Sequence, residues 1–157
     1  MAPSPSLATI AEYFRLGLET GLLKPEHASA WATSVVEALA EPPYSIIEVS
    51  WSKGLSSTLE ALAAVEGDRD KGLAGRWMLG HLRHSMPQSD EHLHWVARRG
   101  MQIARSADLG DEIYYQFDLI DDELFLASSK TYGTFADCRA SLQSLLEGFP
   151  TLPRGDA

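Results

Sequence analysis

The hydrophobic pattern of this chain repeats at helical period from one end to the other. Leu7, Ile10, Phe14 and Leu18 fall on one face, with Tyr13 and Gly17 flanking it, which predicts a helix over about Ser6 to Thr20. Gly21 is placed to end that helix in a left-handed conformation, with Leu22 and Leu23 packing the connection. Pro25 suits the first position of a second helix, where its missing N–H costs nothing. Ala28, Trp31, Ala32, Val35, Val36 and Leu39 form its apolar stripe, and Pro42-Pro43 stops it. The short link predicts an antiparallel pair.

Further along, Tyr44 to Ser50 fits either a strand or a two-turn helix begun by the double proline. Helix is preferred, because no second strand is there to pair with it. Trp51-Ser52-Lys53-Gly54 reads as a turn, and Ser57 with Glu60 as a capping box opening a helix that carries Leu59, Leu62, Ala63 and Val65. Asp68 or Asp70 starts the next one, with Leu73, Trp77, Met78 and Leu82 facing inward and Pro87 ending the region. Ser89 is read as the cap of a longer helix with Asp90 and Glu91 in its first turn. Leu93, Val96, Ala97, Gly100, Ile103, Ala104 and Ala107 make its stripe.

The stretch from Asp111 to Ala127 carries two periods at once. Ile113, Phe117, Ile120, Leu124 and Ala127 recur helically, whereas Ile113, Tyr115, Phe117 and Leu119 alternate as in a strand, with Asp121-Asp122 as a hairpin turn. Helix is again preferred, with a small hairpin near 113–126 as the alternative. Thr134 to Asp137 opens a last helix, whose inner face is Phe135, Cys138, Leu142, Leu145 and Leu146, closed by Gly148-Phe149-Pro150. The expected fold is therefore all-α: a compact bundle or short solenoid of about seven to eight helices, in one domain spanning 1–157, with frayed ends at 1–5 and 151–157.

Charge changes this picture most. The 157 residues carry a formal net charge of -9, which repels phosphate backbones and anionic lipid and favours a basic protein as partner over nucleic acid or membrane. The acids are concentrated: Asp108, Asp111, Glu112, Asp118, Asp121, Asp122 and Glu123 lie in a run without Lys or Arg. The stretch Arg69 to Arg105 carries seven bases (Arg69, Lys71, Arg76, Arg83, Arg98, Arg99 and Arg105) against three acids. These two stretches can pair inside the fold, or the acidic run can steer a basic partner. For the second role the candidate binding residues are Asp111, Glu112, Tyr114, Tyr115, Asp118, Asp121, Asp122 and Glu123, with Phe117 among the interleaved aromatics that interfaces favour.

Catalytic patterns do not compete with that reading. The lone thiol, Cys138, sits on an apolar stripe and is expected to be buried and inert, and it excludes an intrachain disulfide. His81, His84, His92 and His94 cluster in sequence and could supply a metal-assisted hydrolase or metal-binding domain. His92 and His94, two apart, point to different sides of a helix, so only one can join the first two. No metal or cofactor is assigned. Gly72 and Gly75 are expected to allow close helix packing, and Trp51 and Trp95, off the clearest faces, to be partly buried, with an exposed anchor at one of them as the alternative. Neither a leader nor an apolar run of spanning length is visible, so a cytoplasmic location is expected, with the oligomeric state open.

Two groups of segments resemble bacterial helical proteins with immunity functions in toxin systems. The first is Gly21-Leu22-Leu23, Trp31-Ala32, Pro42-Pro43-Tyr44 and Ile47-Glu48-Val49-Ser50. The second is Asp121-Asp122-Glu123-Leu124, Tyr132-Gly133-Thr134 and Leu145-Leu146. Together they cover about a third of the chain. The resemblance implies a small cytosolic inhibitor that binds a toxin domain and occludes it without catalysis. The matching residues are core and turn residues, so no binding residue is carried over.

Overall fold

The computed structural model describes residues 4–153, and among them the fold is all-α, with eight α-helices, two short 3-10 turns and no strand. The helices are α1 (Leu7–Thr20), α2 (Pro25–Ala38), α3 (Tyr44–Trp51), α4 (Leu55–Ala63), α5 (Lys71–Leu82), α6 (Leu93–Ser106), α7 (Asp111–Ser128) and α8 (Phe135–Glu147). The 3-10 turns are Arg83–Ser85 and Asp90–His92. The expected frayed ends fall largely on residues 1–3 and 154–157, outside the described residues. Contacts divide the chain within α5 into two compact units. One holds the described residues up to Ala74 with Leu152 and Pro153, and the other holds Gly75–Thr151.

In the first unit α1 is the most buried helix and packs on α2 and α4. Ser6 caps it, its hydroxyl accepting from the Thr9 N–H at 3.1 Å, and Gly21 closes it at φ 75°, a left-handed conformation glycine adopts without a Cβ penalty. Eleven residues of α1 are buried, including Ile10, Phe14, Leu16 and Leu18. Phe14 stacks on Trp31 of α2 with centroids 5.2 Å apart. The helix α2 begins at Pro25 as expected, and the Lys24 N–H donates to Nδ1 of His27 at 2.9 Å. Its apolar stripe is covered only in part: Ala28, Trp31 and Ala32 are buried, Val35 and Val36 half-buried, and Leu39 lies beyond the helix end, exposed. The double proline leads into α3, so the helical alternative for Tyr44 to Ser50 holds.

The start of α4 corrects the capping box expected at Ser57. The link from α3 is so short that α4 has already begun at Leu55, after Gly54, and Ser57 lies in its first turn. Thr58 secures this end instead, its hydroxyl donating to the Gly54 carbonyl at 2.7 Å and lying 3.0 Å from the Ser52 hydroxyl. Of the two candidate starts for the next helix, Asp70 serves, its carboxylate accepting from the Leu73 N–H at 3.0 Å.

In the second unit α6 packs on α7 and α7 on α8. Ser89 makes no capping bond, because the chain first turns through Asp90–His92 and α6 opens only at Leu93. The expected α6 stripe is all buried. Its Gly100 permits the close α6–α7 approach: a Cβ there would lie 2.4 Å from the ring of fully buried Phe117. Gly75 does the same against Ala107, also at 2.4 Å. Asp111–Ser128 is one continuous helix, which overturns the hairpin alternative; burial follows the helical set, with Phe117, Ile120, Leu124 and Ala127 inside. Helix α8 starts where expected, the Thr134 hydroxyl accepting from the Asp137 N–H at 3.1 Å.

Candidate protein-binding surface on α7

Six acids lie on α7 itself: Asp111, Glu112, Asp118, Asp121, Asp122 and Glu123. At about 100° per residue, the buried set of α7 centres on Phe117, Ile120 and Leu124, and the opposite side is the outward face. Asp111, Tyr115 and Asp122 lie at the centre of that outward face, with Asp118 and Phe125 toward α6 and Glu112 and Leu119 toward α8. Three of these are large apolar groups held in water: Tyr115 is 61% exposed, Leu119 58% and Phe125 71%. Scattered apolar residues on a surface are ordinary, but three among acids across the outward half of one helix form a surface of mixed character. Asp111 and Glu112 also stand in the first turn, where negative charge complements the helix dipole.

Not every candidate joins this face. Phe117 is a core residue, fully buried beneath Gly100. Tyr114 is half-buried, with the Arg105 guanidinium 4.6 Å from its ring centroid and the Tyr115 ring edge-on at 5.6 Å. Asp121 turns toward α6, its carboxylate 3.7 Å from Arg98 Nε, and its Oδ1 is buried without a hydrogen-bond partner. Glu123 is half-buried on the α8 side. The basic and acidic stretches therefore do pair inside the unit, at Arg98–Asp121, while Asp111, Glu112 and Asp122 are exposed and Asp118 is half-buried.

Two depressions border α7. One, of about 470 Å³, is walled by Asp90, His94, Arg98, Asp121 and Phe125, and reaches Phe135 at the start of α8. The other, of about 530 Å³, is an open groove between α7 and α8 beside Leu119 and Leu145. Arg139 shapes the first by tying α8 to the Pro87 segment, donating to the Pro87 carbonyl at 2.7 Å and to Asp90 at 3.0 Å. This tie had no signal in the helical periodicity.

The other candidate chemistries are dispersed. Among the described residues no group of three or more His, Cys, Asp or Glu side chains could hold a metal ion. His81 is half-buried on α5, His84 and His92 are exposed in the 3-10 turns, and His94 is exposed on α6. Cys138 is buried; desolvation pushes its thiol up, and the negative charges of Glu123 and Asp137 push it the same way, which suppresses the thiolate. Trp95 is half-buried as expected, under the Arg99 guanidinium at 5.1 Å, whereas Trp51 is 70% exposed at the end of α3, which corrects the partial burial expected there. No described helix is long and apolar enough to cross a membrane. No known protein family, no curated protein and no solved structure matches this chain.

Proposed function

We propose that this chain is a non-enzymatic protein-binding protein that takes a basic partner on the outward face of α7, in the manner of an immunity-type inhibitor that occludes a cationic toxin or effector. One observation carries the reading: exposed Tyr115 stands with Asp111 and Asp122 at the centre of the outward side of α7, flanked by exposed Phe125 toward α6 and exposed Leu119 toward α8, on a helix without a single Lys or Arg. Acids steer a basic surface into register, and the apolar groups supply the desolvated contacts that hold it. The net charge of -9 extends the same attraction to longer range.

The test is site-directed photocrosslinking in the native host. A photoreactive phenylalanine analogue replaces Tyr115 in one variant and Thr33, exposed on α2, in a control. The expected result is capture at position 115 alone of a protein with a basic surface. Capture is lost when Asp118→Lys and Asp122→Lys are added. Equal capture at both positions, or capture that survives the two reversals, contradicts the proposal.

A further inference from the structure

The groove between α7 and α8 narrows the kind of basic partner. Its α7 side is Leu119, Ile120 and Glu123, and its α8 side is Ala140, Ser144 and Leu145. Ile120 is buried and forms the floor, Leu119 stands exposed on one wall, and Ala140 and Ser144 are exposed opposite. Ala140 and Ser144 are four apart, so they face the same way one turn from each other and let a third backbone approach closely. From Gln116 to Glu123 the groove runs along two turns of α7, about 10 Å at 1.5 Å per residue.

Charge decides what can lie there. Helix α7 carries six acids and no base, and α8 adds Asp137 and Glu147. The single base of α8, Arg139, is committed to Pro87, Gln88 and Asp90. Lys130 is outside both helices, in the loop that joins them. A second copy of this chain would bring the same acids face to face, which is repulsive. A helix with Leu-like residues on one face and Lys or Arg on its flanks meets an apolar floor beside Glu123, with Asp122 next to it on the outward side of α7.

Building on the binding role proposed for α7, we infer that the α7–α8 groove receives a basic amphipathic helix of the partner, its apolar stripe against Leu119 and Leu145 and its cations against Asp122 and Glu123. The probes are two labelled peptides of identical Leu and Lys composition, about 18 residues long so that a helix can form. One has Leu at helical i, i+3, i+4, i+7 spacing, and the other has the same residues scrambled out of that spacing. Fluorescence anisotropy with the full chain is expected to show the patterned peptide at least about tenfold tighter. Ala140→Trp and Ser144→Trp, each filling the groove at an exposed position, are expected to abolish that preference and leave the scrambled peptide unaffected; circular dichroism matching the parent establishes that each variant is folded. Asp118→Lys with Asp122→Lys is expected to weaken both peptides. Equal affinity for the two peptides, or a preference that survives both tryptophans, overturns the groove as the seat. If the charge reversal still weakens both peptides in that case, the acidic face stands without the groove; if it weakens neither, the binding role of α7 falls as well.

Discussion

Arg69 Nη1 donates to Glu12 Oε1 at 2.9 Å across 57 residues of sequence, joining the loop before α5 to the middle of α1. Glu12 is almost fully buried, and Arg15 on its own helix holds both carboxylate oxygens. The other arm of Arg69 donates to the carbonyls of Leu62 at 2.9 Å and Val65 at 3.0 Å, at the C-terminal end of α4. One guanidinium thus neutralises a buried carboxylate and satisfies carbonyls that the end of a helix leaves without partners.

Removing Arg69 leaves the buried Glu12 with Arg15 as its remaining cation and strips the Leu62 and Val65 carbonyls of their donor, so the loss exceeds that of a surface pair. Arg69→Met is expected to destabilise the protein by about 1–3 kcal/mol. Urea unfolding measures it, and a change below about 0.5 kcal/mol would mean that Arg15 alone suffices for Glu12.

The same site sets an acid limit. Burial pushes the Glu12 carboxyl up, but hydrogen bonds from Arg15 and Arg69, and their charges, outweigh burial and hold it below its ordinary value. The unfolded chain then binds this proton more readily than the folded one. Its contribution to stability is therefore fully present above the unfolded value of about 4.3, and is lost as pH falls through the lower folded value. Stability measured from neutral pH downward is expected to fall in that window, and Glu12→Gln is expected to flatten the fall while lowering stability at neutral pH. An unaltered pH profile in Glu12→Gln would remove this carboxylate as the cause.

Packing of α6 on α7 turns on Gly100. A methyl group there meets the Phe117 ring, a rigid and fully buried group, at 2.4 Å. Gly100→Ala is expected to cost about 1–3 kcal/mol despite the better helix propensity of alanine. In a double-mutant cycle with Phe117→Leu the two losses should add up to less than their sum, since the smaller side chain relieves the clash. Strict additivity would place the strain elsewhere.

Much of this fold could be read from period alone. The stripes of α1 and α6 needed only apolar spacing, and Thr134 with Asp137 marked the start of α8. Ser57 and Glu60 had the same capping signature and misled, since a cap depends on where the preceding link ends, and that is set by the neighbouring helix. The hairpin alternative at 113–126 arose because alternation and helical period share Ile113 and Phe117; burial of Ile120 and Leu124 separates them. Within the acidic run, spacing alone could not distinguish Asp121, turned to Arg98, from Asp122 in solvent. Long-range ties such as Arg69–Glu12 and Arg139–Pro87 leave no periodic trace.

The two capping motifs give a paired test. Thr134→Ala removes a hydroxyl that accepts from a first-turn N–H, and is expected to cost about 1 kcal/mol. Ser57→Ala, in the first turn of a helix already begun, is expected to stay within about 0.5 kcal/mol. Equal losses in thermal unfolding would contradict the placement of the α4 start.

The central claim is that the outward face of α7 binds a basic protein, and the most direct measurement is the dissociation constant of the partner captured at Tyr115 for the parent and for Asp118→Lys with Asp122→Lys. The account predicts a weakening of at least about tenfold at ~50 mM salt that shrinks toward ~500 mM, as screening shortens the reach of these charges. Dissociation constants within about twofold of each other at both salt concentrations would contradict it.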